Sequence, residues 1–119
     1  MKKILIVEDN ELNMKLFFDI LKYQNYEPIK AYDGLEAYEK IKNENFDLII
    51  LDIQLPKMDG FALLEKLKKE SIKTPPIIIS SAFAMDTDKA KASKYGVLSY
   101  ITKPIDIKMF ANTVKSALN

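Results

Sequence analysis

Carboxylates follow two of the short apolar runs in this sequence. Residues 4–7 lead directly into Glu8 and Asp9, and residues 48–51 lead into Asp52. If both runs are parallel strands of one sheet, their carboxyl ends lie along the edge where open α/β sheets bind ligands. Carboxylate oxygens suit an octahedral Mg²⁺ site that keeps positions open for water and phosphate. An aspartate in the middle of such an edge is also a candidate nucleophile toward phosphorus.

Hydroxyls and a lysine follow two further runs. Residues 77–79 end in Ser80 and Ser81, and a fourth run leads into Lys103 and Pro104. A phosphoryl group in transfer spreads its charge over three oxygens, which an ammonium, Mg²⁺ and a hydroxyl can stabilise. The two serines compete for this role, and the pleat of a strand sends them to opposite faces. The proline predicts a constrained peptide, with the cis form accessible, that fixes the direction of the lysine.

Composition limits the chemistry that the chain can perform. Its 119 residues, 48% of them hydrophobic and 29% charged, are typical of one globular domain. All 18 basic residues are lysines, so no arginine can clamp a phosphoryl group. The sequence contains no Cys and no His, which excludes thiol chemistry, imidazole catalysis and a phosphohistidine within this chain.

Charge and hydropathy exclude other classes of protein. The net charge of +1 gives no reason to expect direct binding to nucleic acid. The apolar stretches are too short for membrane insertion, and the N-terminus does not resemble a signal peptide. We therefore expect a cytoplasmic protein.

Strand-like and helix-like segments alternate along the chain. The second strand is the least apolar and contains Pro28, which predicts an edge position. Five βα units predict an α/β domain with a doubly wound parallel sheet, in which right-handed crossovers cover both faces with helices. The predicted strands are 3–8, 27–32, 47–52, 76–81 and 97–101, and the predicted helices are 11–23, 34–43, 60–69, 85–95 and 106–118.

Apolar stripes on the helices follow candidate capping residues. Asp33, Asp59 and Asp106 stand where N-caps are expected before three of the helices. The helix at 85–95 has few apolar residues along one face, which is typical of a mobile helix or a binding surface. The residues predicted to face the core are, in helix order, Leu12, Leu16, Phe17, Ile20 and Leu21; Leu35, Tyr38 and Ile41; Phe61, Leu64 and Leu67; Met85, Ala90, Ala92 and Tyr95; and Ile107, Phe110, Ala111, Val114 and Leu118.

Five motifs lie at or just beyond the strand ends. They are Val7-Glu8-Asp9-Asn10, Leu51-Asp52-Ile53-Gln54-Leu55-Pro56, Met58-Asp59-Gly60, Ser81-Ala82-Phe83-Ala84 and Tyr100-Ile101-Thr102-Lys103-Pro104. Jointly they resemble the receiver domain of bacterial two-component response regulators, and the likeness covers the whole chain. It implies a flavodoxin-like (βα)5 fold with strand order 2-1-3-4-5. It also implies a single receiver domain at 1–119 without an output domain, similar to stand-alone receivers that act in cell-cycle control.

The resemblance implies a metal site and a phosphoacceptor. Asp52 matches the phosphoacceptor of the family. Glu8 and Asp9 match the acidic pair that organises Mg²⁺, with Asp52 and the backbone carbonyl of Gln54 as further ligands.

It also implies a switch around the phosphoryl group. Lys103 matches the phosphate-binding lysine, Ser81 the switch hydroxyl and Tyr100 the switch aromatic. The bulky Phe83 is expected to restrict attacking water and so to prolong the phosphorylated state.

The function implied by the resemblance is phosphorelay signalling. A histidine kinase or histidine phosphotransferase donates the phosphoryl group to Asp52, after which Ser81 moves inward and Tyr100 rotates. The face built from the fourth helix, fifth strand and fifth helix then changes shape and binds a downstream protein. Such a protein assists its own phosphorylation and dephosphorylation and is not classed as an enzyme.

Other functions fit parts of the pattern. Asp52 could cap a turn, and Tyr100 could be a fixed core aromatic. A phosphotransferase-type hydrolase would need an acid where Gln54 stands. A flavodoxin would need a glycine-rich loop where Glu8 and Asp9 would repel phosphate. A receiver-like interaction module that acts without phosphorylation stays open as an alternative.

Overall fold

A strand and then a helix repeat five times along the chain. The computed structural model describes residues 1–82 and 86–119, with the backbone alone for Asp86, so the predictions for Phe83 and Met85 lie outside the described residues. The elements are β1 (Lys3–Val7), α1 (Glu11–Tyr23), β2 (Glu27–Ala31), α2 (Gly34–Asn43), β3 (Leu48–Asp52), α3 (Gly60–Lys69), β4 (Ile77–Ser81), α4 (Asp86–Ser93), β5 (Ser99–Thr102) and α5 (Ile107–Leu118).

The five strands form one parallel sheet in the order β2-β1-β3-β4-β5, as predicted. Every residue of β3 and β4 is buried, as expected for central strands that are covered on both faces. The strand with Pro28 lies at an edge, so that prediction is confirmed. β5 begins at Ser99, two residues later than predicted, although Leu98 already donates its N–H to the carbonyl of Ile77.

Alternate strand residues supply two hydrophobic cores, one on each face of the sheet. We call them the α1/α5 core and the α2–α4 core after the helices that cover them. Within the α1/α5 core, the rings of Phe17 and Phe110 lie 5.0 Å apart between their centroids. The strand residues are Ile4, Ile6, Leu48, Ile50, Ile78 and Ile101 in the α1/α5 core, and Leu5, Val7, Ile49, Leu51, Ile77 and Ile79 in the α2–α4 core.

The helices begin at the predicted caps. The side chains of Asp33, Asp59 and Asp106 each accept a backbone N–H from three residues later, at 2.8, 2.8 and 2.9 Å. Asn10 caps α1 in the same way, a role that the sequence analysis did not assign. Across the described ranges, no helix has the length and apolarity that a bilayer crossing requires.

Four residues predicted to face the core are exposed instead, namely Leu12, Leu35, Ile107 and, in α4, Ala90. Leu12 is 81% exposed because it lies on the opposite side of α1 from the buried residues. Leu35 is 46% exposed because it lies beside the buried face of α2 and not at its centre. In α1 the buried face is set by Met14, which the prediction omitted. Ile107 is 56% exposed because it opens α5 at the outer edge of the groove between α1 and α5.

The fourth helix is as sparsely packed as the sequence suggested. Among the residues of α4 whose burial is described, Ala92 is the one that is buried, and Ala90 is exposed. Tyr95, just after the helix, packs partly against the α2–α4 core. Residue 95 lies outside the helix, which ends at Ser93, earlier than the predicted boundary.

A glycine brings the start of α2 against the loop that follows β3. A Cβ added to Gly34 would lie 2.1 Å from the carbonyl oxygen of Met58. Lys57, with φ of 66°, places its ammonium 3.4 Å from a carboxylate oxygen of Asp33. The loop after Asp52 is therefore fixed by close backbone contact with α2.

We expect Gly34→Ala to lower the free energy of unfolding by about 1–3 kcal/mol, since the new methyl group must displace the Met58 carbonyl. Urea denaturation measures this change. Gly96→Asn is the control: Gly96 has φ of 68° and open space around it, and asparagine tolerates that conformation. An equal free energy of unfolding for Gly34→Ala and wild type would show that the loop with Met58 can move away from the new methyl group without loss of stability.

Candidate functional site

Three predicted site residues project from one face of the sheet at its carboxyl edge. The last β1–β3 pair is Val7 with Leu51, so Glu8 and Asp52 are the next neighbours across these strands. Both alternate with residues of the α2–α4 core, which places their side chains on the α1/α5 face. Lys103 follows Ile101 by two residues and lies on the same face.

The acidic residues form a cluster that could hold a metal ion. One carboxylate oxygen each from Glu8, Asp9 and Asp52 lies within 4.8 Å of the other two. Glu8 and Asp52 are buried, whereas Asp9 is exposed. The cluster is thus open to solvent on the side of Asp9, and its hard oxygen donors fit Mg²⁺.

Lys103 bridges the two buried acids. Its ammonium donates to Glu8 Oε1 at 2.6 Å and to Asp52 Oδ2 at 3.0 Å. The remaining oxygens accept backbone N–H groups, from Asn10 to Glu8 and from Gln54 to Asp52, both at 3.0 Å. Each oxygen of the two buried carboxylates therefore has a donor.

The local electrostatics show why this lysine is needed. Burial raises the pKa of the Glu8 carboxyl, and the hydrogen bond from Lys103 only partly opposes this effect. Burial by itself would lower the pKa of the Lys103 ammonium, but its hydrogen bonds to Glu8 and Asp52 outweigh burial and raise that pKa. A buried carboxylate pair favours a nearby cation, and Lys103 supplies one.

The loop that carries Gln54 is held at both ends. Gly60 donates its N–H to the carbonyl of Ile53 at 2.8 Å, and a Cβ on Gly60 would lie 2.9 Å from the carbonyl oxygen of Asp52. Close backbone packing of this kind requires glycine at position 60. The Gln54 side chain is exposed, and metal ligation by its backbone carbonyl stays a prediction.

The predicted switch residues lie on the other face of the sheet. Ser81 is buried at the end of β4, and Tyr100 is half-buried in β5 against the α2–α4 core. The backbone N–H of Lys103 donates to the Ser81 carbonyl at 2.7 Å, so the lysine is tied to the end of β4. The Lys103–Pro104 peptide is cis, the form that the sequence made accessible.

The sheet register adds a residue that the sequence analysis set aside. Ser80 pairs directly with Asp52 across β3 and β4, and it is buried on the same face as Asp52. The sequence held the signal, because Ser80 is followed by the predicted switch serine and must face the other way. The sequence did not give the register of β3 and β4, which pairs Ser80 with Asp52.

Comparisons with known proteins agree with this fold and site. The model of the response regulator receiver domain family matches residues 4–115. The polar-differentiation response regulator DivK of Brucella ovis is 43% identical over 118 residues, which cover 98% of this chain and 96% of that protein. The chain belongs to the response regulator receiver domain family.

Solved structures give the same result. A CheY-like response regulator receiver domain protein from Methanospirillum hungatei JF-1 superposes with a TM-score of 0.90 at 32% identity, covering 99% of this chain and 94% of that one. The receiver domain of the sensor histidine kinase PA1611 from Pseudomonas aeruginosa PAO1 has a TM-score of 0.87 at 25% identity, covering 98% and 97%, and holds a magnesium ion in its active-site cleft. This chain is thus a receiver domain of two-component signal transduction.

We expect Lys103→Met to lower the free energy of unfolding by about 3 kcal/mol in metal-free buffer, because two buried carboxylates lose their cation. Urea denaturation with and without Mg²⁺ measures this loss, and added Mg²⁺ should restore part of it. Lys108→Met, an exposed lysine on α5, is the control. Unchanged stability of Lys103→Met would contradict the stabilising role of these ion pairs.

Proposed function

We propose that Asp52 accepts a phosphoryl group from a phosphohistidine of a partner protein. The observation that carries this proposal is the convergence of Glu8, Asp52 and Lys103, which are joined by contacts of 2.6 and 3.0 Å at the carboxyl edge of the sheet. Since the chain contains no histidine, the donor histidine must belong to another protein, and we assign it to a histidine kinase or a histidine phosphotransferase. Family membership supports this class of donor.

In the proposed reaction an Asp52 oxygen attacks phosphorus. An O–P bond forms as the P–N bond of the donor breaks, and the imidazole nitrogen leaves with the electron pair. Lys103, whose ammonium reaches the acceptor at 3.0 Å from Asp52 Oδ2 in this structure, can supply positive charge to the transferred group. The N–H of Gln54 holds the other Asp52 oxygen and so orients the carboxylate.

Receiver domains bind Mg²⁺ at an acidic site, and the donors of this chain fit that ion. Glu8, Asp9 and Asp52 would hold it, together with the backbone carbonyl of Gln54. When bound, the ion supplies charge neutralisation for the phosphoryl oxygens. The magnesium in the PA1611 receiver supports the assignment.

We expect Asp52→Asn to abolish phosphorylation. NMR amide shifts with Mg²⁺ and the phosphate mimic beryllofluoride provide the measurement: wild type should respond around Asp52, Ser81 and Tyr100, and the variant should not. Asp59→Asn is a matched control, because it removes one charge from the same loop while asparagine preserves the N-cap.

Two outcomes would contradict the proposal. Uptake of phosphate by Asp52→Asn at the wild-type rate would remove Asp52 from the acceptor role. A wild-type protein that does not respond to beryllofluoride would favour the alternative, an interaction module that acts without phosphorylation.

We further propose that the signal leaves through α4, β5 and α5. Ser81 and Tyr100 both face the α2–α4 side, where α4 contributes little to the core. Leu98 and Met109 are exposed and available for a downstream protein. The likeness to DivK favours a related role in polar differentiation or cell-cycle control.

We expect Ser81→Ala to separate phosphorylation from switching. The variant keeps Asp52 and Lys103, so beryllofluoride should still shift the amide of Asp52. Without the hydroxyl that draws β4 toward the phosphoryl group, the signals of Tyr100 should move by less than half of the wild-type shift. Ser93→Ala, an exposed serine at the end of α4, is the control. A full Tyr100 response in Ser81→Ala would contradict the proposed coupling.

A further inference from the structure

Ser80 carries a buried hydroxyl that has no role in the proposed phosphoryl transfer or in the proposed metal site. The residue is 1% exposed, and its Oγ has no hydrogen-bond partner among residues 1–82 and 86–119. Buried polar groups without a partner are rare in folded proteins, because burial removes their hydrogen bonds to water and an unpaired group gains none in return. A hydrogen-bond donor that reaches Ser80 Oγ in another state of the site would explain why this hydroxyl is buried without a partner here.

The register places Ser80 between the acceptor and the lysine. Asp52 pairs with Ser80 across β3 and β4, and Ser80 pairs with Ile101 across β4 and β5. Lys103 follows Ile101 by two residues, so all four side chains lie on the α1/α5 face. Ser81 projects from the other face and cannot take this place.

The lysine must cross β4 to reach the acids. It starts beyond the end of β5, yet its ammonium lies 3.0 Å from Asp52 on β3 and 2.6 Å from Glu8 beyond β1. Neighbouring strands lie about 4.8 Å apart, so β3 and β5 are separated by about 10 Å. The Lys103 side chain therefore spans β4 on the face from which Ser80 projects.

We propose that Ser80 Oγ accepts a hydrogen bond from the Lys103 ammonium when that ammonium leaves Glu8 and Asp52. This inference rests on the proposed Mg²⁺ site, because the oxygens that Lys103 holds belong to the cluster that would bind the ion. The ammonium and the metal compete for them. A lysine that withdraws toward β5 passes β4, where the hydroxyl of Ser80 is unoccupied.

Ser80 is then a positioning residue that favours the metal-loaded state. Within the described part of the chain its hydroxyl has no hydrogen bond to lose, and it gains one when Lys103 moves. Its effect on stability should therefore depend on Mg²⁺. A residue with a merely structural role would act equally in both states.

The test is the affinity for Mg²⁺ of wild type, Ser80→Ala, Ser80→Thr and Ser99→Ala, measured by NMR titration of backbone amides. We expect Ser80→Ala to raise the dissociation constant about tenfold, the effect of one hydrogen bond to a charged group. Ser80→Thr keeps the hydroxyl and should stay within about threefold of wild type. Ser99→Ala is the control, on the same face at the far end of β5.

A second measurement follows the lysine itself. In the Mg²⁺-loaded protein, the ammonium signal of Lys103 in ¹⁵N-lysine spectra should differ between wild type and Ser80→Ala, and Lys103→Met assigns that signal. Urea denaturation without Mg²⁺ should show Ser80→Ala to be at least as stable as wild type.

The outcomes separate this inference from the proposed function. If wild type binds Mg²⁺ and Ser80→Ala binds it equally well, the role of Ser80 is wrong and the metal site stands. If Ser80→Ala is destabilised equally with and without Mg²⁺, Ser80 is structural and the inference is overturned. If wild type does not bind Mg²⁺, both proposals fail together.

Discussion

Two carboxylates are buried side by side on adjacent central strands, and their mutual repulsion is the constraint around which the site is built. Glu8 and Asp52 have little solvent to screen them, so the fold must provide a cation. Lys103 provides it from two strands away, and backbone N–H groups satisfy the remaining oxygens. Any divalent cation that enters must compete with this lysine. The Lys103 ammonium therefore neutralises the two carboxylates in this structure, and a divalent cation can replace it.

The packing of the sheet divides the molecule into a rigid part and a more loosely packed part. β1, β3 and β4 are buried almost throughout and hold the acids in fixed register. The loop after Asp52 is fixed by the close backbone contacts of Gly34 and Gly60. In contrast, α4 contributes one described buried residue, and β5 is a short edge strand. A change of charge at Glu8 and Asp52 can thus alter the structure most easily at α4 and β5, where the packing is loosest. These elements belong to the proposed output face.

Much of this could be inferred from the chain alone. The continuous apolar runs predicted the central strands, and Pro28 predicted the edge. Capping by Asp33, Asp59 and Asp106 followed from residue type and position. Helix faces were less predictable: Leu12 and Leu35 have the right hydrophobicity but the wrong angle, and which arc of an amphipathic helix is buried depends on the neighbour that it meets. The resemblance to receiver domains supplied the roles of the site residues, which carboxylates at strand ends could not have specified.

The sequence by itself determined the chemistry available to this protein: three acids and one lysine at strand ends, no histidine and no arginine. The tertiary structure alone decided which of these groups touch. It joined Lys103 to Glu8 and Asp52, left Asp9 at the solvent side of the cluster, and placed Ser80 rather than Ser81 beside Asp52. The physical reason is that strand order and register bring together residues that are far apart in the chain, from 28 positions for Asp52 and Ser80 to 95 for Glu8 and Lys103. Local patterns carry no information about such pairings until the sheet is assembled.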